Sequence, residues 1–146
     1  MSVLKVKRVR EGAKLPARAT KGSAGYDLYA CIGEPLVIQP GQVQKVPTGV
    51  AIELADENCV ALVFARSSMG VKYGVIPANA VGVIDSDYRG EVCVFLRNHS
   101  DAPYTVQPQD RVAQLVVMPV LLPEIEEASE LSDTARGQGG FGSTGK

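Results

Sequence analysis

The chain has 146 residues, 45% hydrophobic and 21% charged, with 15 Lys+Arg against 16 Asp+Glu and a formal net charge of -1. That length suits one domain with a core of its own, without staples. The near-zero charge excludes a surface that grips nucleic acid or anionic lipid by charge alone.

In chain order, KVKRVR (residues 5 to 10) alternates basic residues with valines, which predicts a strand with a polar outer face and not a nucleic-acid patch. Further apolar runs follow at PLVIQPGQ, KVPTGVAIEL, CVALVFA, EVCVFLRN, YTVQPQD and RVAQLVVMPV, each bounded by Gly, Pro, Asn or Asp. With 15 glycines and 9 prolines to punctuate them, these runs predict an all-β sandwich or barrel. One short helix is predicted at SSMGVKYG, with Ser67 near its N-terminus facing a possible anion.

Cys31, Cys59 and Cys93 are odd in number and set among apolar residues, so they read as small core residues in a reducing compartment. Without a CxxC pair, and with His99 as the only histidine, zinc would lack ligands. No signal peptide or membrane span is visible, which points to a cytoplasmic protein, a nuclear location staying open. Asn98-His99-Ser100 is then an accidental glycosylation sequon.

After VVMPVLLP the composition turns to EIEEASELSDTAR, rich in Glu, Ser and Asp, and the expected division is a body at 1–123 and a flexible arm at 124–146. An acidic tail of this kind is ordinarily solvated disorder. Its end, RGQGGFGSTGK, carries a different set of groups: Arg136 for phosphate, glycines that let N–H groups approach oxygens, the hydroxyls of Ser143 and Thr144, and the flat ring of Phe141. Gly140, Gly145 and Lys146 fit GxxxxGK, but a P-loop needs a strand before it and a helix after it.

Two other stretches hold candidate chemistry. AGYDLYA (24 to 30) places a lone carboxylate, Asp27, in a strand. NAVGVIDSDYRGEV (79 to 92) has strand-like pieces flanking Asp85-Ser86-Asp87, a pattern that an ordinary acidic turn also explains.

Taken with ARSSMG (65 to 70) and QDRVAQL (109 to 115), these segments in this order resemble the five motifs of the trimeric dUTPase family, the deoxyuridine triphosphate nucleotidohydrolases. The likeness spans nearly the whole chain. It implies a jelly-roll-like β-barrel with an extended C-terminal arm, assembled as a homotrimer whose active sites are shared between subunits. It also implies an enzyme: Mg²⁺-assisted hydrolysis of dUTP to dUMP and pyrophosphate, limiting uracil in DNA and supplying dUMP for thymidylate synthesis.

On that resemblance Asp85 is the base that activates water. Asn79, Gly82, Ile84, Tyr88 and Phe141 hold the nucleoside, with Tyr88 under the deoxyribose and Phe141 stacked on uracil. Arg66, Ser67, Ser68, Gln114, Arg136, Gly142, Ser143 and Thr144 hold phosphates, and Asp27 reaches magnesium through water. No nucleic-acid or membrane partner is implied. Ser68 and Gln109 stand where the motifs usually have glycine. Three alternatives remain: a non-catalytic jelly-roll binding module, a nucleotide-responsive interaction partner, and a relative of the dCTP deaminases. The last would need a glutamate near Phe95, which cannot shuttle protons.

Overall fold

The computed structural model describes residues 3–142, and every strand pairing within them is antiparallel. In chain order the strands are β1 (Lys5–Arg8), β2 (Tyr26–Tyr29), β3 (Leu36–Ile38), β4 (Val43–Glu53), β5 (Cys59–Phe64), β6 (Val75–Pro77), β7 (Gly82–Ile84), β8 (Glu91–Asn98), β9 (Tyr104–Val106) and β10 (Arg111–Pro119). They form two four-stranded sheets, β1-β4-β8-β6 and β2-β10-β5-β7, and a two-stranded β3-β9 pair. The fold is all-β, as the sequence predicts, and no sheet among the described residues closes on itself.

Alternation decides what enters the core. Along β8, Val92, Val94 and Leu96 are buried while Glu91, Cys93, Phe95 and Arg97 point away. In β10 both Val112 and Ala113 are buried, because a bulge between Arg111 and Ala113 shifts the register against β2. The cysteines depart from expectation: all three are free thiols, but each is only half-buried. Asn98, the would-be glycan acceptor, is fully buried, its amide donating to the carbonyls of Ile38 (2.9 Å) and Ala102 (2.7 Å).

A wide bulge interrupts β4. Pro47 pairs with Cys93 and Ala51 with Glu91, so four residues on one strand span two on the other. Pro47 brings no N–H to the ladder, and Gly49 takes φ +71°. A Cβ on Gly49 would lie 2.7 Å from that of Ala13 and 2.8 Å from Cys31 Sγ, so no larger residue fits. Thr48, also buried, donates to the Val92 carbonyl at 2.6 Å.

The predicted helix is a single turn, α1 (Ser68–Lys72), wound as a π-helix and followed by Gly74 at φ +66°. From Val120 to Gly142 the chain holds no strand or helix, and Leu121, Ile125 and Leu131 are exposed.

Gln109 stands in a backbone conformation that favours glycine. Its φ is +68°, a region that costs a side chain about 1 kcal/mol. Its Nε2 donates to the Gly12 carbonyl at 2.9 Å, a compensating bond. Gln109→Ala keeps the strain without that bond, whereas Gln109→Gly removes both. In urea unfolding the glycine variant should exceed the alanine variant in stability by about 1 kcal/mol. Equal stabilities would show an unstrained backbone.

Candidate active site

Two clefts gather most of the residues that the motifs single out. The first, of about 450 Å³, lies between the β7 hairpin and strands β4 and β8. Asn79, Gly82, Ile84, Asp85 and Tyr88 all line it. β7 is held on β5 by the pairs Val63–Gly82 and Ala61–Ile84, and a Cβ on Gly82 would press on Val63 at 3.2 Å. Before β7, Ala80 sits at φ +62° while the Val81 N–H bonds to the Asn79 carbonyl at 2.7 Å, a tight γ-turn beside Asn79.

After β7 the chain turns at Asp85, whose carbonyl accepts the Tyr88 N–H at 3.2 Å. The Asp85 carboxylate joins no ion pair among the described residues. Tyr88 folds back so closely that a Cβ on Gly90 would stand 2.4 Å from its hydroxyl, which is the physical reason for glycine there.

The second cleft, of about 380 Å³, is lined by Asp27, Arg66, Ser67, Arg111 and Gln114 among others. Gln114 faces Asp27 across one ladder and Phe64 across the other, so these three share one face of the sheet. Asp27 is fixed twice over: its N–H bonds to the Ala17 carbonyl at 2.8 Å, and its oxygens take Arg66 Nε at 2.9 Å and Arg111 Nη1 at 3.3 Å. Among the described residues Arg66 meets Asp27 through Nε and not through its terminal nitrogens. Gln114 Nε2 donates to the Ala65 carbonyl at 2.9 Å, and a Cβ on Gly25 would collide with its Oε1 at 2.6 Å.

Val63 lines the first cleft and its neighbour Phe64 the second, so within one chain the clefts lie on opposite sides of β5. They share no lining residue. Ser68 is exposed and lines neither, unlike Ser67. Arg136, Phe141 and Gly142 lie on the exposed arm, where Arg136 Nε donates to the Gly139 carbonyl at 2.9 Å. Ser143 and Thr144 fall outside the described residues.

The sequence reading missed Arg111, and also Lys45, Glu91 and Cys93 in the first cleft. Their signal was the period of two in β4 and β8, which supply Lys45, Glu91 and Cys93, and the start of β10, which supplies Arg111. Phe95 lines the same cleft, so the place where a deaminase would need its glutamate is aromatic. Glu91, the acid nearby in sequence, is committed to Arg10 at 2.6 Å and to the Gly49 N–H at 2.9 Å.

Three comparisons bear on this arrangement. A family model for dUTPase matches residues 11–145. The deoxyuridine 5'-triphosphate nucleotidohydrolase of Desulfitobacterium hafniense is 50% identical, with 99% of each chain covered, and that of Neisseria meningitidis is 48% identical, covering 97% of this chain and 95% of the relative. Among solved structures, the dUTPase of Staphylococcus bacteriophage 80alpha with dUPNHPP superposes at a TM-score of 0.90, with 28% identity and 99% of each chain covered. A dUTPase of phage phi11 of S. aureus, described as coordinating a structural Mg(II) ion, superposes at 0.81 with 25% identity over 90% of this chain and 99% of that one. The chain thus shares its β-fold with proteins named as nucleotide hydrolases. The chain belongs to the dUTPase family.

Glu91 titrates below the ordinary glutamate range, chiefly because Arg10 hydrogen-bonds it, with Gly49 adding to the effect against desolvation. A depressed native pKa contributes stability that is present above the unfolded value and lost as pH falls through the native one. Glu91→Gln should therefore unfold more easily than the parent at neutral pH. The gap should narrow as the solution is acidified through and below the usual glutamate range. A constant gap in thermal melts across that window would show that the ion pair does not carry the difference.

Proposed function

We propose that this chain hydrolyses dUTP to dUMP and pyrophosphate, and that its two clefts are the nucleoside and phosphate halves of the active site. The observation that carries the reading is the hairpin cleft, which brings Asn79, Gly82, Ile84, Asp85 and Tyr88 together around one cavity. The family match supports the same reaction.

In this reading the uracil enters between the β7 backbone and Asn79, and Tyr88 underlies the deoxyribose. A 5-methyl is worth only about 1–3 kcal/mol in affinity, so thymine is rejected by fit against a tied-down hairpin. Asp85, in no ion pair among the described residues, holds water by hydrogen bond and takes its proton as the water oxygen attacks the α-phosphorus in line. The bond from that phosphorus to the bridging oxygen breaks, and pyrophosphate departs. Arg66, Ser67 and Gln114 hold the phosphates, and the arm adds Arg136, Gly142, Ser143 and Thr144, with Phe141 over the base.

The residues present suit a Mg²⁺ ion carried by the substrate more than one caged by protein. Among the described residues no group of three or more His, Cys, Asp or Glu side chains could hold a metal. Asp27 is the one carboxylate of the phosphate cleft, and Mg²⁺ characteristically uses one or two carboxylates, waters and phosphate oxygens. Asp27 would reach it through water. Once bound, the ion neutralises charge on the triphosphate.

The assembly in this reading is a homotrimer of jelly-roll-like subunits, in which one subunit's hairpin meets another's phosphate cleft and a third lends its arm; opposite placement of the clefts across β5 supports sharing of the site between copies. The body would be 1–123 and the arm 124–146. Among the described residues no helix is long and apolar enough to cross a membrane. Free cysteines fit a reducing, cytoplasmic setting.

The test is pyrophosphate release from dUTP with Mg²⁺, run beside dCTP, dTTP and UTP. Release from dUTP alone is expected, and Asp85→Asn should lower kcat by about two to four orders of magnitude while nucleotide binding persists. Release from none, or a fully active Asp85→Asn, would overturn the reading or the base respectively.

Truncation after Leu131 addresses the arm separately. It should lower kcat/KM by about a hundredfold or more, because phosphate contacts and water exclusion go together. An unchanged rate would remove the arm from the site.

A further inference from the structure

Glu91 and Asp85 are the two acids of the hairpin cleft, and the proposed chemistry uses only Asp85. Glu91 opens β8 directly after the hairpin, and it is held from outside the hairpin. Arg10 grips both carboxylate oxygens, from Nε at 2.6 Å and from Nη2 at 3.0 Å. The Gly49 N–H adds a third bond at 2.9 Å. On its main-chain side, the Glu91 carbonyl accepts the Tyr88 hydroxyl at 3.0 Å. One residue therefore joins a bidentate ion pair to the phenol beneath the proposed sugar site.

The surroundings make this junction firm. Gly49 belongs to the β4 bulge, where its left-handed backbone is hemmed in by Ala13 and Cys31. The Gly49 carbonyl in turn accepts the Val9 N–H at 2.8 Å, so the segment carrying Arg10 is tied to the same bulge. Tyr88, by contrast, is 45% exposed, and packing alone does not fix its ring. Its hydroxyl bond is what holds it over Gly90.

We propose that Arg10 and Glu91 are positioning residues for Tyr88, and that this clamp sets the discrimination between deoxyribose and ribose nucleotides. The inference rests on the nucleoside reading of the hairpin cleft. A 2'-hydroxyl is refused only if the ring beneath it cannot give way. An exposed tyrosine yields easily when its hydroxyl is free. Anchored to a carbonyl whose own residue is pinned at three points, it yields only by breaking that bond. The bidentate geometry matters, because a single-point contact would let Glu91 pivot.

The experiment compares kcat/KM for dUTP, UTP and dTTP in the full-length parent, Arg10→Met, Glu91→Gln, Tyr88→Phe and the Arg10→Met/Tyr88→Phe double variant. Arg10→Met and Glu91→Gln should each lower the dUTP/UTP preference about tenfold, the scale of one hydrogen bond, with kcat for dUTP retained. The dUTP/dTTP preference should hold, because the 5-methyl is tested against another part of the cleft. On the Tyr88→Phe background Arg10→Met should change the dUTP/UTP ratio no further, and Arg10→Lys should recover part of it.

An unchanged dUTP/UTP ratio in both single variants would overturn the clamp. So would an equal fall in both preferences, since the pair would then serve only the fold. A parent that hydrolyses none of the three nucleotides would overturn the proposed function and the clamp together. An active, selective parent with unaffected variants would overturn the clamp alone.

Discussion

The structure depends on one constraint, that a β-strand can show only every second side chain to a given side. On β5 this separates Val63, which lines the hairpin cleft, from Phe64, which lines the phosphate cleft. β10 repeats the division: Leu115 enters the core while Gln114 joins Asp27 outside it. On the proposed reading the water-activating Asp85 and the phosphate-holding Arg66 therefore line separate clefts of one chain. On the proposed reading, assembly is part of the chemistry, because a second copy is the shortest way to bring two opposite sides of one sheet together.

The bulge in β4 answers a second need. A hairpin as short as β7, with three residues, has little core of its own and needs an external brace. Pro47 and Gly49 break the β4–β8 ladder, so the Gly49 N–H turns to the Glu91 carboxylate and the Pro47 carbonyl to Cys31, while the Gly49 carbonyl stays in register with β1 by accepting from Val9. Irregularity in the sheet thus becomes the point at which three segments are tied to the start of β8. That tie stiffens the cleft from behind without filling it.

Much of this was legible in the sequence, for reasons that differ by element. Strands announced themselves by alternation and by flanking Gly and Pro, and four of the five motifs marked Asp27, Arg66, Asp85, Tyr88 and Gln114, each of which lines a cleft. Glycine positions were readable as positions but not as reasons. Only the structure shows that Gly90 clears the Tyr88 hydroxyl, that Gly25 clears Gln114, and that Gln109 occupies a left-handed conformation. What stayed hidden was whatever depends on register. Arg10 and Glu91 stand 81 residues apart, and Lys45 meets Phe95 only because β4 and β8 pair with Val46 opposite Val94. A bulge of uncertain length would move every such pair, so no reading of local pattern could have fixed them.

The arm follows the opposite physical rule. Everything in the body limits motion, whereas residues 132 to 142 are held by little more than local turns, such as the Gly137 N–H on Thr134 and Arg136 on Gly139. Ordering such a segment costs about 1–2 kcal/mol per residue, and glycine raises the figure. On the proposed reading that cost is offset only by a ligand offering a base to Phe141 and phosphates to Arg136 at once. A nucleoside monophosphate lacks the outer phosphates and pyrophosphate lacks the base, so neither product can hold the arm closed. On the same reading, the glycines that let backbone N–H groups approach a triphosphate also keep closure weak enough for both products to leave.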